Sequence, residues 1–114
     1  MDLNELATAV TQNLPIVIVV MNNGVLGMVR QWQTLFYDGH YSQTTLERKT
    51  DYVKLAEAFG AKGMRLTRPE ELDEVLEAAY ACDGPVVVDC VIDCDEMVLP
   101  MIPPGGSVDN IILK

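Results

Sequence analysis

Asn22-Asn23-Gly24 is the stretch whose residue types and setting best suit an ionic ligand. It follows a β-branched run, Ile16-Val17-Ile18-Val19-Val20, and precedes residues with helical spacing. Side-chain amide and backbone carbonyl oxygens are hard, neutral ligands for Mg²⁺, and the first turn of a helix offers free N–H groups and partial positive charge to a phosphate. A diphosphate bridged to the protein by Mg²⁺ would use both. Strand, turn, helix is also the place where open α/β sheets bind ligands, beyond the carboxyl ends of their strands. On spacing alone the same residues serve as a plain turn, whereas a hairpin is disfavoured because the residues after Gly24 have a helical and not an alternating period. Asp93, Asp95 and Glu96 form a second acidic group that could hold a cation, but solvated structural acids are the favoured reading of them. Cys82, Cys90 and Cys94 lack CxxC spacing, and the only histidine is His40, so free, mostly buried thiols are expected.

The elements that must position these residues alternate. Leu3, Leu6, Ala7 and Val10 recur at helical spacing up to Asn13-Leu14-Pro15, and the β-branched run after them suits a strand buried on both faces of a parallel sheet. Leu26, Val29, Trp32 or Gln33, and Phe36 mark a helix reaching about Tyr37, followed by a polar, exposed loop over 38–50. Asp51 is an N-cap and Gly60 a C-terminal stop for a helix through Val53, Leu55, Ala56 and Phe59. A short strand over 62–66 comes next, then a helix opened by Pro69-Glu70-Glu71 and ending near Cys82-Asp83-Gly84, then a strand over 85–92. The order α-β-α-α-β-α-β-tail predicts a three-layer α/β/α fold with a mainly parallel sheet, divided into residues 1–96 and a Pro-rich tail over 97–114.

Composition narrows the function. The 114 residues carry a net charge of −9, which repels a polyphosphate backbone, so nucleic acid is not an expected partner. The longest apolar run is far shorter than the roughly 20 residues of a spanning helix, and no signal peptide is legible. A cytoplasmic protein with no membrane partner is expected.

Asn22-Asn23-Gly24-Val25-Leu26-Gly27-Met28-Val29-Arg30-Gln31-Trp32-Gln33, together with the ending Val98-Leu99-Pro100-Met101-Ile102-Pro103-Pro104-Gly105-Gly106, resembles the catalytic large subunit of acetolactate synthase. The likeness spans nearly the whole chain and falls on the C-terminal part of that family's thiamine-diphosphate-binding domain. The double Asn is shared by many thiamine-diphosphate enzymes; its combination with the LGMVRQWQ element and the Pro-rich ending is far more specific. A pyruvate oxidase or a glyoxylate carboligase is the nearest competitor, disfavoured by Gln31-Trp32-Gln33. Outside the enzyme reading stand a flavodoxin-like or receiver-like module and a non-catalytic remnant that associates with complete synthase subunits.

The resemblance implies a cofactor and a set of roles. Thiamine diphosphate and Mg²⁺ would be bound, with Mg²⁺ held by the Asn23 side chain and the Val25 backbone carbonyl while Asn22 and Gly24 shape the turn. Met28 would lie near the thiazolium ring and Trp32 at the pocket of the second oxoacid, although a core stripe explains both on pattern alone. Arg30 and Gln31 read either as reaching a substrate carboxylate or as a solvated face. The family condenses pyruvate with a second 2-oxoacid, pyruvate or 2-oxobutyrate, on the way to isoleucine, valine and leucine. Its members also hold FAD in another domain, form homo-oligomers and in some cases take a regulatory subunit. The sequence departs from the pattern in lacking the Gly-Asp-Gly that supplies a further Mg²⁺ ligand, and it contains no counterpart of the activating glutamate. It therefore carries no catalytic residue of its own and is expected to be inactive alone, with a tail that closes over an occupied site and is otherwise mobile.

Overall fold

The computed structural model describes residues 3–47 and 50–113. In chain order the elements are α1 (Glu5–Thr11), β1 (Val17–Asn22), α2 (Gly27–Phe36), α3 (Tyr52–Phe59), β2 (Lys62–Leu66), a 3₁₀ turn (Pro69–Glu71) running into α4 (Leu72–Tyr80), β3 (Val86–Val91) and a last 3₁₀ turn (Val108–Asn110). The expected alternation is present, with α4 ending at Tyr80, just before Cys82-Asp83-Gly84. Two compact units result: Met1–Asn22 with Glu47–Ile92, and Asn23–Leu46 with Asp93–Lys114. Neither limit coincides with a boundary at residues 96 and 97, because the C-terminal segment packs with α2.

The first unit is a parallel sheet in the order β1-β3-β2. Alternation along β3 sends Val86 and Val88 to one face, where they meet Leu66 and Ala79 of α4, and Val87 to the other, where it meets Leu6 of α1, Ala56 of α3 and Ala61. Helices thus cover both faces, which makes the three layers. Local signals agree with the packing. The Asp51 carboxylate accepts the Lys54 N–H at the start of α3, and Gly60 closes the helix in the left-handed conformation with φ 88°.

One expectation fails here. β1 is an edge strand and not one buried on both faces: Val19 is 44% and Met21 61% exposed. The β-branched run specifies a strand, but strand order is settled by crossover connections, and these put β3 between the other two. β3 is the strand with both faces covered, with Val86 and Val88 fully buried.

The second unit is built around α2, a loop over 38–46 and the C-terminal segment. Most of the loop is exposed as its polarity predicts, but Thr44 is buried. Residues 48 and 49 of the longer expected loop lie outside the described ones. The C-terminal segment is folded on itself by an antiparallel bridge between Met101 and Ile112 and by a capping box at Ser107 and Asn110.

Candidate functional site

Asn22 and Asn23 are consecutive but play different parts. Asn22 ends β1 in the first unit, where its carbonyl accepts the Ile92 N–H at 3.1 Å and its Nδ2 donates to the buried Asp89 carboxylate at 2.9 Å. The second Asp89 oxygen accepts from Arg65 Nε at 3.0 Å, and Arg65 also donates to Asp51, the cap of α3, at 2.7 Å. Asn22 is therefore anchored to the sheet through its carbonyl and its Nδ2. The Arg65 guanidinium gains from this placement: its bond to Asp89, then the field of Asp51, raise its pKa. Asp89 escapes sequence reasoning, since an acid inside a strand has no local signature of a partner.

Asn23 opens the second unit and makes the turn. Its Oδ1 accepts the Val25 N–H at 3.1 Å, and Gly24 takes φ 69°, a value at which a side chain would strain the backbone. The loop then clamps the turn from outside: Leu26 N–H donates to the Thr44 carbonyl at 2.8 Å and Leu46 N–H to the Gly24 carbonyl at 2.9 Å. Val25, buried, bridges to Thr45 in the same antiparallel pairing. Among the described residues no hydrogen-bond donor is assigned to the Val25 carbonyl. The α2 helix starts at Gly27 with no side-chain cap, so the N–H groups of its first turn have no capping acceptor.

These features fit a hydrated cation and a phosphate. Asn23 Oδ1 keeps a second lone pair after serving Val25, the Val25 carbonyl has no donor among the described residues, and both are the neutral oxygens that Mg²⁺ accepts. Gly27 is part of the same geometry, because a Cβ built there would lie 2.7 Å from Asn23 Nδ2. A side chain at this position would require the Asn23 amide to shift from where it lies. The signal was present in the sequence as a glycine just inside a helix, and its reason lies in the turn residue four positions before it.

Met28 and Trp32 are not core residues. Trp32 is 41% exposed, and Met28, Val29 and Phe36 are similarly open. An open depression of about 490 Å³ is lined by Val29, Trp32, Gln33, Phe36, Tyr37 and His40. Arg30 and Gln31, by contrast, lie on the covered side and not on a solvated face. Gln31 is 4% exposed, with its Oε1 accepting the Val98 N–H at 2.8 Å and its Nε2 donating to the Val98 carbonyl at 3.0 Å. Arg30 donates to Asp95 at 2.7 Å and stacks 4.0 Å over the Tyr41 ring. The Gln31 amide is committed to Val98 through both its oxygen and its nitrogen, and Arg30 is held by Asp95 through Nε.

Asp93, Cys94 and Asp95 offer three ligand atoms within 4.8 Å of one another. Asp95 is already paired with Arg30, and that hydrogen bond lowers the pKa of its carboxyl. Asp93 accepts the Asp95 N–H at 2.8 Å, so the acids stabilise their own loop. The three cysteines are free and half-buried, less enclosed than expected. Among the described residues no helix is long and apolar enough to cross a membrane.

Residues 1–90 match the family described as thiamine pyrophosphate enzyme, C-terminal TPP binding domain. Over 112 residues the chain is 48% identical to an acetolactate synthase of Mycobacterium avium, covering 94% of this chain and 18% of that one. It is 41% identical to the acetolactate synthase isozyme 2 large subunit of Escherichia coli, covering 100% and 21%, and 43% identical to the mitochondrial catalytic subunit of Saccharomyces cerevisiae, covering 98% and 16%. The chain thus spans about a fifth of the length of these curated relatives. Among solved structures it is similar to a thiamine diphosphate-dependent 4-hydroxybenzoylformate decarboxylase of Rhodococcus jostii, with a TM-score of 0.70 and 25% identity over 80% of this chain and 17% of that one. The parallel sheet with helices on both faces, the double-Asn turn leading into α2 and the family match together show that the chain belongs to the thiamine pyrophosphate enzymes, as their C-terminal TPP-binding domain.

Proposed function

We infer that the chain is the part of an acetolactate synthase that holds the diphosphate end of the cofactor. Asn23 through Oδ1 and Val25 through its carbonyl would hold Mg²⁺, and the uncapped first turn of α2 would face the diphosphate. The observation that carries this reading is the Asn23 turn, whose acceptor geometry is set by Gly24, Gly27 and the paired loop while the Val25 carbonyl meets no donor among the described residues.

Thiamine diphosphate, when bound, supplies the electron sink for decarboxylating a 2-oxoacid and joining the remaining carbons to a second one. The residues of this chain bind and orient. Met28 sits one turn from Trp32 on the exposed side of α2, where the first would flank the thiazolium ring and the second the incoming oxoacid. An indole beside an apolar substituent distinguishes ethyl from methyl by about 1–3 kcal/mol, enough to prefer 2-oxobutyrate or pyruvate as the second substrate. The sequence has no Gly-Asp-Gly to complete the Mg²⁺ shell, and no turnover is expected from these residues alone.

The test is a graft. With the corresponding segment of the E. coli isozyme 2 large subunit replaced by this chain, acetolactate formation from pyruvate is expected, and Asn23→Ala in the graft should abolish it. Activity that survives Asn23→Ala would sink the metal assignment. The isolated chain should show no turnover of pyruvate; measurable turnover by the pure chain would contradict its inactivity.

A further inference from the structure

The amphipathicity of α2 is inverted. Apolar side chains of a helix ordinarily turn to the protein interior, yet here Val29, Trp32 and Phe36 are exposed while the buried side chain is Gln31. Something other than apolar burial must fix the rotation of the helix. Gln31 has the means. Its amide presents a carbonyl and an N–H to the N–H and carbonyl of one residue, Val98, which copies the pairing of two strand residues. The same Nε2 lies 3.3 Å from Met101 Sδ, and the neighbouring Arg30 is bound to Asp95 in the same segment. A buried amide must keep both of its bonds, so rolling the helix would leave polar atoms unpaired.

We propose that Gln31 is a positioning residue: its side-chain amide latches the C-terminal segment to α2 at Val98 and thereby keeps Val29, Trp32 and Phe36 facing outward. The latch stands on hydrogen bonds alone, and only its service to a ligand at Trp32 rests on the function proposed above. Neither Gln31 nor Val98 titrates, so the latch itself is indifferent to pH.

The substitution Gln31→Glu converts the latch into a pH-dependent one. A protonated carboxyl at this position can still accept the Val98 N–H and donate to its carbonyl, whereas the ionised form has no proton to donate and opposes the carbonyl. The ionisable groups lining this side are Arg30 on α2 and Cys94, Asp95 and Glu96 on the facing segment, and all of them are present in the unaltered chain as its control. The measurement is amide hydrogen exchange at Val98 in the full chain, with the fluorescence of Trp32, the only tryptophan, followed in parallel. Gln31→Leu should speed Val98 exchange by about tenfold or more at every pH. Gln31→Glu should exchange like the unaltered chain at about pH 4.5 and about tenfold faster at about pH 8, with Trp32 emission changing over the same interval. A Gln31→Glu to wild-type ratio that does not vary with pH, or a Val98 amide already as fast as in an unfolded peptide, overturns the latch. Mg²⁺ with thiamine diphosphate, titrated into the graft, separates the two readings: loss of cofactor affinity in wild type as well as variant, with Val98 still protected, rejects the cofactor role and leaves the latch standing.

Discussion

Each of the two units of this chain has its own kind of internal cohesion. The first is organised by apolar burial: Val86 and Val88 on one face of β3, Val87 on the other, each meeting small or branched residues from a helix. The second is organised by polar contacts, with the Gln31 amide on the Val98 backbone, Arg30 on the Asp95 carboxylate and backbone pairing of a loop across the Asn23 turn. Burial is non-directional and tolerates adjustment, while hydrogen bonds specify angles. The unit that would carry the ligand is the one built from directional contacts, and that is how oxygens and N–H groups are held at fixed places.

Substitutions should separate the two modes. The largest loss is expected from Asp89→Ala, the exception within the apolar unit. Removing a buried carboxylate that serves both Asn22 and Arg65 should cost about 3 kcal/mol, near the low end for a broken buried pair because Arg65 is half exposed. Urea unfolding measures it, and a loss under about 1 kcal/mol would mean that the network is ornamental. Val88→Ala removes two methyl groups from a fully buried site and should cost about 2 kcal/mol by the same measurement. A neutral result there would break the claim that apolar packing dominates the first unit.

Gly27→Ala sharpens the contrast because it acts on geometry and not on stability. Alanine is the better helix former by up to about 1 kcal/mol, so melting should not fall. The Asn23 amide must nevertheless move, and Mg²⁺ affinity in the grafted synthase should drop about tenfold or more. Unchanged metal binding in the Gly27→Ala variant, with α2 still ordered from its first turn, would remove Gly27 from the site.

Acid should act more gently and on both units. Hydrogen bonding from the Lys54 amide, then the Arg65 charge, lower the pKa of Asp51, and the Arg30 hydrogen bond lowers that of Asp95. A carboxylate whose folded pKa is depressed contributes stability that is complete above its unfolded value and lost as pH falls through the folded one. Stability should therefore hold down to about pH 4 and decline below it, and Asp51→Asn should flatten that decline in a pH series of urea midpoints.

Legibility followed the same division. The helix at 52–59 with its Asp51 cap and Gly60 stop, the strand at 62–66 and the strand ending in Val91 could be read locally, because caps, stops and β-branched runs act on their own neighbours. The double-Asn turn was also legible, by type and by resemblance. The roles of Arg30, Gln31, Thr44 and Asp89 were not, since each depends on a partner remote in sequence: Val98 is 67 residues from Gln31, and Asp89 is 67 from Asn22.

The sequence by itself determined the order of elements, the β-branched and capped segments, the acidic charge and the Asn23 turn, all of which arise from propensity and near neighbours. Tertiary structure decided which strand lies in the middle of the sheet, which face of α2 is covered and which polar side chains are spent on the backbone. The physical reason is that strand order depends on crossovers and hydrogen-bond partners on long-range approach, and neither leaves a period in the chain.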